Sequence, residues 1–226
     1  IVSAWTRIII RQRRGSETTP GHIFALFGIF VRMSDSGQTR KLAAILAADV
    51  AGYSRLMGDD EKATVQSLTD YRKVFIEHIA QHHGKVVDTT GDSVLATFDS
   101  PVEAVECAIE IQRELSRRNR HLADDRQMKF RIGINLGDVI AREDGTVYGD
   151  GVNIAARLES LAEPGGITVS GTVFDHTENK LPVSFDFVGE QSVKNIAKPV
   201  RAYRVSDVRQ ALPGRRSLFS LLNRFG

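Results

Sequence analysis

The chain alternates short apolar segments with long segments of helical periodicity, and this order limits the folds that it can adopt. Apolar positions recur at helical spacing from about Asp59 to His83 and again from Pro101 to about Asn119. Apolar segments of strand length flank these helices at Lys41–Val50, Lys85–Thr90, Ser93–Phe98 and Lys129–Ile140. The resulting order is βαββαβ, which favours an α+β sandwich with helices packed on one mixed sheet.

Further elements follow this core towards the C-terminus. A helix that carries Asn153 and Arg157 is predicted next, and it ends at Pro164-Gly165-Gly166. A short strand, a short helix and two closing strands are predicted at Ile167–Ser170, Gly171–Asn179, Val183–Val188 and Val200–Val205. The predicted fold class is therefore α+β: a ferredoxin-like βαββαβ core with a mixed sheet covered by helices, plus C-terminal strands.

The two ends of the chain differ in pattern from this central part. We expect an N-terminal segment over residues 1–39, one domain over residues 40–206 and an amphipathic tail over residues 207–226. The apolar run Ile23–Val31 is far shorter than the roughly 20 residues that span a bilayer. Met33 is the expected initiator, with residues 1–32 not native. The tail could dock on the domain, on a partner or on a membrane surface, and its sequence does not choose among them.

Charge and cysteine content exclude some classes of function. The 226 residues carry a formal net charge of +2, with acidic and basic residues interleaved, which argues against a nucleic-acid-binding surface. The single cysteine, Cys107, cannot form an internal disulfide. We therefore expect Cys107 to be a small core residue, and its lack of a disulfide partner suits a protein of the reducing cytoplasm.

Two aspartates occupy positions that suit a metal site. Asp49 ends the first predicted strand, and Asp92 lies in the Gly91-Asp92 turn of the predicted hairpin. In a mixed sheet a strand end and a neighbouring hairpin tip can be adjacent, and two carboxylates there form a hard-oxygen site for Mg²⁺ or Mn²⁺. The alternatives are a helix N-cap for Asp49 and ordinary turn chemistry for Asp92.

Asn153 and Arg157 lie four residues apart, on one face of their predicted helix. A carboxamide suits a sugar hydroxyl or ring oxygen and a guanidinium suits a phosphate, although such a pair is also common on a solvated helix face. The apolar residues around them predict a mostly buried helix, so we expect both side chains to need partners. These apolar neighbours are Val152, Ile154, Ala155, Ala156 and Leu158.

Several common catalytic motifs are absent from the sequence. It contains no G-x-x-x-x-G-K-[ST] loop, no G-x-S-x-G elbow and no His/Cys cluster with zinc spacing. Ordinary P-loop chemistry and serine hydrolysis are therefore not expected. His78, His82 and His83 lie in one predicted helix and are interpreted as a solvated helix end rather than as ligands.

Four sequence blocks, taken together, resemble the class III nucleotidyl cyclase catalytic domain, the adenylate/guanylate cyclase family. They occur in the family's order, and the resemblance covers roughly Arg40 to Val205. The blocks are D-V-A-G-Y-S from Asp49, T-G-D-S-V-L-A-T-F around Asp92, G-I-N-L-G-D-V from Gly133 and Y-G-D-G-V-N-I-A-A-R-L from Tyr148. The resemblance implies cyclisation of a nucleoside triphosphate, with ATP favoured, to a 3′,5′-cyclic nucleotide and pyrophosphate for intracellular signalling.

The resemblance also implies how the site is assembled. Asp49 and Asp92 match the family's two metal-binding aspartates, which with the carbonyl of Val50 would hold two Mg²⁺ or Mn²⁺ ions per site. In this family the sites lie at a head-to-tail dimer interface, with the metal ligands from one protomer and the Asn and Arg from the other. We therefore expect a homodimer with two equivalent, shared active sites.

The substrate-binding roles follow from the same resemblance. Asn153 matches the asparagine that orients the ribose, and Arg157 matches the arginine that stabilises charge on the α-phosphate in the transition state. Lys194 lies where the family often has a lysine for the terminal phosphates, with Lys198 as a competitor for that role.

The two positions that select the base in this family give opposite indications. Asp88 stands where adenylate cyclases usually have Lys, whereas Thr146 agrees with one adenylate cyclase subclass. A carboxylate could accept from the adenine 6-amino group, or from guanine N1–H and its 2-amino group together. Use of GTP is therefore an alternative to ATP, and a one-residue shift of the hairpin would remove Asp88 from the pocket altogether.

Two non-enzymatic alternatives remain at this point. The departure at Asp88 is compatible with a catalytically silent cyclase-like domain that binds nucleotide or only dimerises. A plain α+β interaction domain is the other alternative, but it does not explain the presence of Asp49, Asp92, Asn153 and Arg157 together.

Overall fold

The computed structural model describes residues 39–192 and 199–206, and within them the elements follow the predicted order. The strands are β1 (Thr39–Val50), β2 (Lys85–Asp88), β3 (Ser93–Phe98), β4 (Phe130–Ala141), β5 (Val147–Tyr148), β6 (Ile167–Ser170), β7 (Ser184–Gln191) and β8 (Val200–Ser206). The helices are α1 (Tyr53–Asp59), α2 (Glu61–Gln81), α3 (Pro101–Asn119), α4 (Asp150–Leu161) and α5 (Gly171–Thr177), with a 3₁₀ turn at Asp124–Arg126.

The structure adds two elements that the sequence pattern did not reveal. The helical segment expected from about Asp59 is preceded by a separate short helix, α1, because Asp60 adopts an extended conformation that interrupts the helical path. The Asp60 side chain accepts a hydrogen bond from the backbone N–H of Ala63 and so caps the start of α2. The two-residue strand β5 pairs with the end of β4 and is too short to leave a periodic signal.

The described strands form one mixed sheet in the order β2-β3-β1-β4-β6-β8-β7, with β5 paired to β4. The first four strands are antiparallel neighbours in the order β2-β3-β1-β4, and only the β4–β6 pair is parallel. This arrangement confirms the predicted α+β class, with a ferredoxin-like core extended by C-terminal strands.

The two faces of the sheet have different coverings because side chains alternate along each strand. Ala44, Leu46 and Ala48 of β1 pack into the main core beneath α2 and α3. Ala43, Ile45 and Ala47 point to the opposite face and pack with residues of α4. Asp49 continues this second series, so it lies on the same face of the sheet as α4.

Cys107 is fully buried in α3, as expected for a small core residue. Burial raises the pKa of its thiol to about 12, so the group remains uncharged at neutral pH. Among the described helices, none has both the length and the apolar character needed to cross a membrane. The expected N-terminal segment, except for Thr39 at the start of β1, lies outside the described residues. Met33, Lys194, Lys198 and the C-terminal tail also lie outside them.

Helix α4 approaches the sheet closely at Gly133 of β4. A Cβ atom at Gly133 would lie 2.1 Å from the backbone N of Glu159 and 2.2 Å from the backbone O of Ala155. Backbone atoms cannot move aside as a flexible side chain can, so only glycine permits this packing distance. The position of α4, and of every side chain on it, depends on this contact.

The variant Gly133→Ala should therefore lose stability by about 1–3 kcal/mol or more, because the methyl group overpacks a contact between two backbones. Urea unfolding monitored by circular dichroism measures the change. Gly58→Ala is the matched control, since its added Cβ would meet nothing within 4 Å beyond its chain neighbours and the backbone of its own helix. The stability of this variant should be unchanged or slightly increased. Equal stability of the two variants would contradict the close packing of α4.

Candidate active site

The structure brings Asp49 and Asp92 together, as the sequence predicted. In the β1–β3 register Asp49 is paired with Ser93, and this pairing places the preceding hairpin residue, Asp92, beside Asp49. The two carboxyl groups lie within hydrogen-bonding reach of each other. The backbone N–H of Val50 also donates to Asp49 Oδ1 at 3.0 Å. Asp49 is not a helix cap, because Gly52 holds the N-cap position of α1.

The electrostatics of the pair favour the binding of a positive charge. Burial, and then the adjacent Asp92 carboxylate, raise the pKa of Asp49 to about 7, although Arg131 opposes the shift. The Asp49 side chain is 13% exposed, so solvent does little to screen the repulsion. Half-buried carboxylate groups that repel one another in this way fit a hard divalent cation such as Mg²⁺ or Mn²⁺.

Two further charged residues, Arg131 and Glu159, complete this cluster and were not singled out from the sequence. Arg131 Nη2 lies 3.4 Å from Asp49 Oδ2, and Arg131 Nε lies 3.1 Å from Glu159 Oε1. The second contact is an ion pair without hydrogen-bond geometry, and both atoms are buried without a hydrogen-bond partner among the described residues. Arg131 therefore lies between the Asp49 carboxylate and a buried carboxyl group on α4.

Glu159 is 2% exposed, and its ionisation is costly in this environment. Burial raises the pKa of Glu159 to about 8; Arg131 opposes this shift, and the carboxylates of Asp49 and Asp92 add to it. The strand register is the signal that identifies the cluster, because Arg131 is the direct cross-strand partner of Asp49 on β4. That register is a property of the folded sheet, whereas the pattern of apolar residues indicates only which segments are strands.

Asn153 and Arg157 occupy the outward face of α4, so the helix that was expected to be mostly buried is buried on one side only within a single chain. Both residues are exposed, whereas Ala155 and Glu159 are buried against the sheet. A step of two residues on a helix is a rotation of about 200°, so Arg157 and Glu159 lie on nearly opposite sides. The side chains of Asn153 and Arg157 make no hydrogen bond or ion pair with another described residue. Within one chain, this pair faces away from Asp49 and Asp92.

The N-terminal end of α4 is held by a buried amide. Asn135 of β4 is 3% exposed, and its Nδ2 donates to the backbone O of Gly151 at 3.2 Å. Together with the close contact at Gly133, this hydrogen bond attaches α4 to the sheet at both ends. The exposed pair Asn153 and Arg157 is therefore presented on a rigid support.

The two residues predicted to contact the base are both engaged in turns. The Asp88 carboxylate accepts hydrogen bonds from the backbone N–H of Thr90 at 3.1 Å and from the Thr90 hydroxyl at 2.6 Å. Thr146 donates its backbone N–H to Asp144 Oδ1 at 2.8 Å, and its hydroxyl also bonds to that oxygen. A β-bulge lies between Val86 and Asp88, which is the kind of local shift that alters the direction of a hairpin side chain.

The raised pKa values of Asp49 and Glu159 predict a pH-dependent stability. Both values exceed those of an unfolded chain, so the folded, metal-free protein binds more protons than the unfolded chain between about pH 4 and pH 8. Its free energy of unfolding should therefore fall as the pH rises through this window. Asp49→Asn should make the free energy of unfolding decrease less over this pH range. Urea unfolding in EDTA at several pH values across the window measures the change. The exposed Asp138 supplies the control variant Asp138→Asn, and an equal pH dependence in both variants would contradict the assignment.

Comparison with known proteins agrees with this geometry. Residues 36–207 match the family described as "Adenylate and Guanylate cyclase catalytic domain". The chain is 44% identical over 172 residues to the "Putative adenylate cyclase 3" of Rhizobium meliloti strain 1021, a match that covers 76% of this chain and 29% of that protein. It therefore spans under a third of the length of this relative.

Solved structures show the same relationship. The adenylate/guanylate cyclase/hydrolase from Silicibacter pomeroyi is 43% identical, with a TM-score of 0.71, and the match covers 75% of this chain and 99% of that one. The guanylyl cyclase Cya2 is 25% identical, with a TM-score of 0.66, and the match covers 78% of this chain and 98% of that one. On this combined sequence and structural similarity, the chain belongs to the adenylate and guanylate cyclase catalytic domain family.

Proposed function

We propose that the protein is an adenylate cyclase that converts ATP to 3′,5′-cyclic AMP and pyrophosphate, as a cytoplasmic source of signal. The observation that carries this proposal is the division of polar residues between two surfaces. Asp49 and Asp92 form a half-buried carboxylate pair on one surface, and the side chains of Asn153 and Arg157 form an exposed set, without partners among the described residues, on the outward side of α4. The carboxylate pair suits the metal ions that accompany the phosphates, and the Asn–Arg pair suits the ribose and the α-phosphate. Neither set alone is sufficient for the cyclisation reaction.

A homodimer with shared sites would unite the two sets. If two chains associate head to tail, the outward face of α4 in one protomer meets the carboxylate pair in the other, and symmetry generates two equivalent sites. The absence of intrachain partners for Asn153 and Arg157, among the described residues, supports an intermolecular role for both side chains.

The residue types fit an intramolecular attack of the ribose 3′-hydroxyl on the α-phosphorus. Two Mg²⁺ or Mn²⁺ ions, held by Asp49, Asp92 and the carbonyl of Val50, would lower the pKa of that hydroxyl and neutralise the leaving pyrophosphate. Asn153 would orient the ribose by hydrogen bonding, and the Arg157 guanidinium would stabilise charge that develops on the α-phosphate. Lys194 remains a predicted ligand of the terminal phosphates.

Arg131 and Glu159 have a supporting role in this proposal. Arg131 contacts Asp49 from the adjacent strand, and Glu159 holds Arg131 from the buried face of α4. The same helix therefore presents Arg157 outward and helps to orient a metal-binding carboxylate inward.

ATP is favoured over GTP because Asp88 has a local function that does not involve a base. Its carboxylate already accepts two hydrogen bonds from Thr90, at the turn that carries Asp92. The relative from Rhizobium meliloti is named an adenylate cyclase, although Cya2 is a guanylyl cyclase with a similar fold. A catalytically silent domain is the less favoured alternative, because Asp49, Asp92, Asn153 and Arg157 are all present.

Cyclic nucleotide formation with Mn²⁺ and either ATP or GTP tests the choice of substrate. We expect cyclic AMP as the main product, and Asp88→Asn should keep the preference for ATP because the residue acts in the turn. If the protein forms mainly cyclic GMP and Asp88→Asn changes its preference between GTP and ATP, the Asp88 carboxylate recognises the base. No product from either nucleotide would support the silent domain.

Arg157→Ala should lower kcat by about 10²-fold or more, because it removes a preorganised donor to the transition state. Steady-state kinetics with saturating Mn²⁺ measures the effect. Arg142, an exposed residue stacked on Tyr148 outside the two proposed sets, provides the control Arg142→Ala. An unchanged kcat in Arg157→Ala would exclude the proposed role.

Complementation between inactive variants tests the shared site. Asp49→Ala and Arg157→Ala should each be nearly inactive alone, and a mixture should regain activity because a heterodimer contains one intact site. The heterodimer is quantified with two different affinity tags. A verified heterodimer without recovered activity would argue against sites formed by two chains.

A further inference from the structure

A second group of ligand-type side chains lies between α2 and α3, on the face of the sheet opposite to α4. His78 lies in the last turn of α2, His82 is the C-cap residue four positions later, and Glu110 faces both from α3. His82 Nε2 lies 3.0 Å from Glu110 Oε2, and His78 Nδ1 lies 3.5 Å from the same oxygen. One possible ligand atom from each of the three residues lies within 4.8 Å of the other two.

This arrangement corrects the interpretation of the three histidines as a solvated helix end. The side chains of His78 and His82 are only 21% and 16% exposed, and both turn towards α3. Only His83 is exposed, at the end of the helix. The spacing of His78 and His82 placed them on one face of α2, but the sequence could not show that Glu110 lies opposite that face.

The hydrogen bonding within the group is incomplete. His78 Nδ1 is buried and has no hydrogen-bond partner among the described residues, although it lies 3.5 Å from Glu110 Oε2. Both rings direct a nitrogen at a single carboxylate oxygen, which His82 already contacts at hydrogen-bonding distance. A divalent cation among the three residues would satisfy both ring nitrogens and the carboxylate, which the existing contacts do not.

We propose that His78, His82 and Glu110 form a binding site for a transition-metal ion, with Zn²⁺ as the best match. Two imidazoles and one carboxylate are a ligand set that Zn²⁺ accepts in tetrahedral geometry, whereas Mg²⁺ prefers oxygen ligands alone. The site is separate from the carboxylate pair at Asp49 and Asp92, which offers only oxygen and lies on the other side of the sheet.

The surroundings leave room for a fourth ligand. A cavity of about 190 Å³ opens beside His82 and Glu110, and Glu106, Arg113 and Leu181 also line it. Water entering from this cavity would complete a four-coordinate ion. Bound there, the ion would link the last turn of α2 to the middle of α3, and α2 leads directly into the β2–β3 hairpin that carries Asp92.

Zinc binding to an untagged protein with Asp49→Asn and Asp92→Asn tests the site, because these changes remove the oxygen ligands on the other face. Calorimetric titration with Zn²⁺ should give one ion per chain, and Co²⁺ should give the visible absorption of a tetrahedral complex. Zn²⁺ should also raise the melting temperature of this protein, since a ligand that binds only the folded state stabilises it.

Three variants in the same background identify the ligands. His78→Ala, His82→Ala and Glu110→Gln should each weaken Zn²⁺ binding by at least about ten-fold, the lower limit for disturbing the surroundings of a metal site. The exposed His121 supplies the control His121→Ala, which should bind as tightly as its parent. Circular dichroism confirms that each variant is folded, and Glu110→Gln, which keeps the side-chain shape, remains informative if a histidine variant unfolds.

Two results would overturn the proposal. The first is the absence of saturable Zn²⁺ binding in the folded background protein. The second is binding that none of the three ligand variants weakens, which would place the ion elsewhere on the chain. Neither result bears on the cyclase reaction, since the background protein already lacks the proposed catalytic carboxylates.

Discussion

The contact between α4 and β4 at Gly133 sets the geometry on which the rest of the site depends. Backbone atoms of Ala155 and Glu159 approach so closely that the strand residue has no space for a side chain. This contact fixes the rotation of α4 about its own axis. Glu159 is directed inward to Arg131, and Asn153 and Arg157 are directed outward. The two functions proposed for the helix, support of Asp49 and contact with a nucleotide, follow from that single orientation.

Much of the fold could be predicted from the sequence because its signals are local. Apolar runs and helical periodicity identified the βαββαβ order, and Pro101–Asn119 matches α3 in both bounds. The short helix α1 and the strand β5 were missed because seven and two residues are too few to establish a period. The proximity of Asp49 and Asp92 was predictable, since a strand end and a hairpin tip meet in an antiparallel sheet.

The features that could not be predicted are those that depend on register or on contacts between distant elements. Arg131 is opposite Asp49 only because of the β1–β4 register, and Glu110 is opposite His78 and His82 only because α2 packs on α3. Apolar neighbours of Asn153 and Arg157 predicted a mostly buried helix with partners for both side chains, whereas only one side of α4 is buried within a single chain. An exposed polar pair on a helix that is buried on its other side is compatible with the proposed shared site.

The central claim is that a nucleotide is bound between two chains, and a crystal structure with Mn²⁺ and a non-cyclising ATP analogue tests it most directly. The account predicts that Asp49 and Asp92 of one protomer contact the ions. It also predicts that Arg157 and Asn153 of the other protomer contact the α-phosphate and the ribose of the same nucleotide. A nucleotide held by a single chain, or one bound with Asn153 and Arg157 still facing solvent, would contradict the shared site.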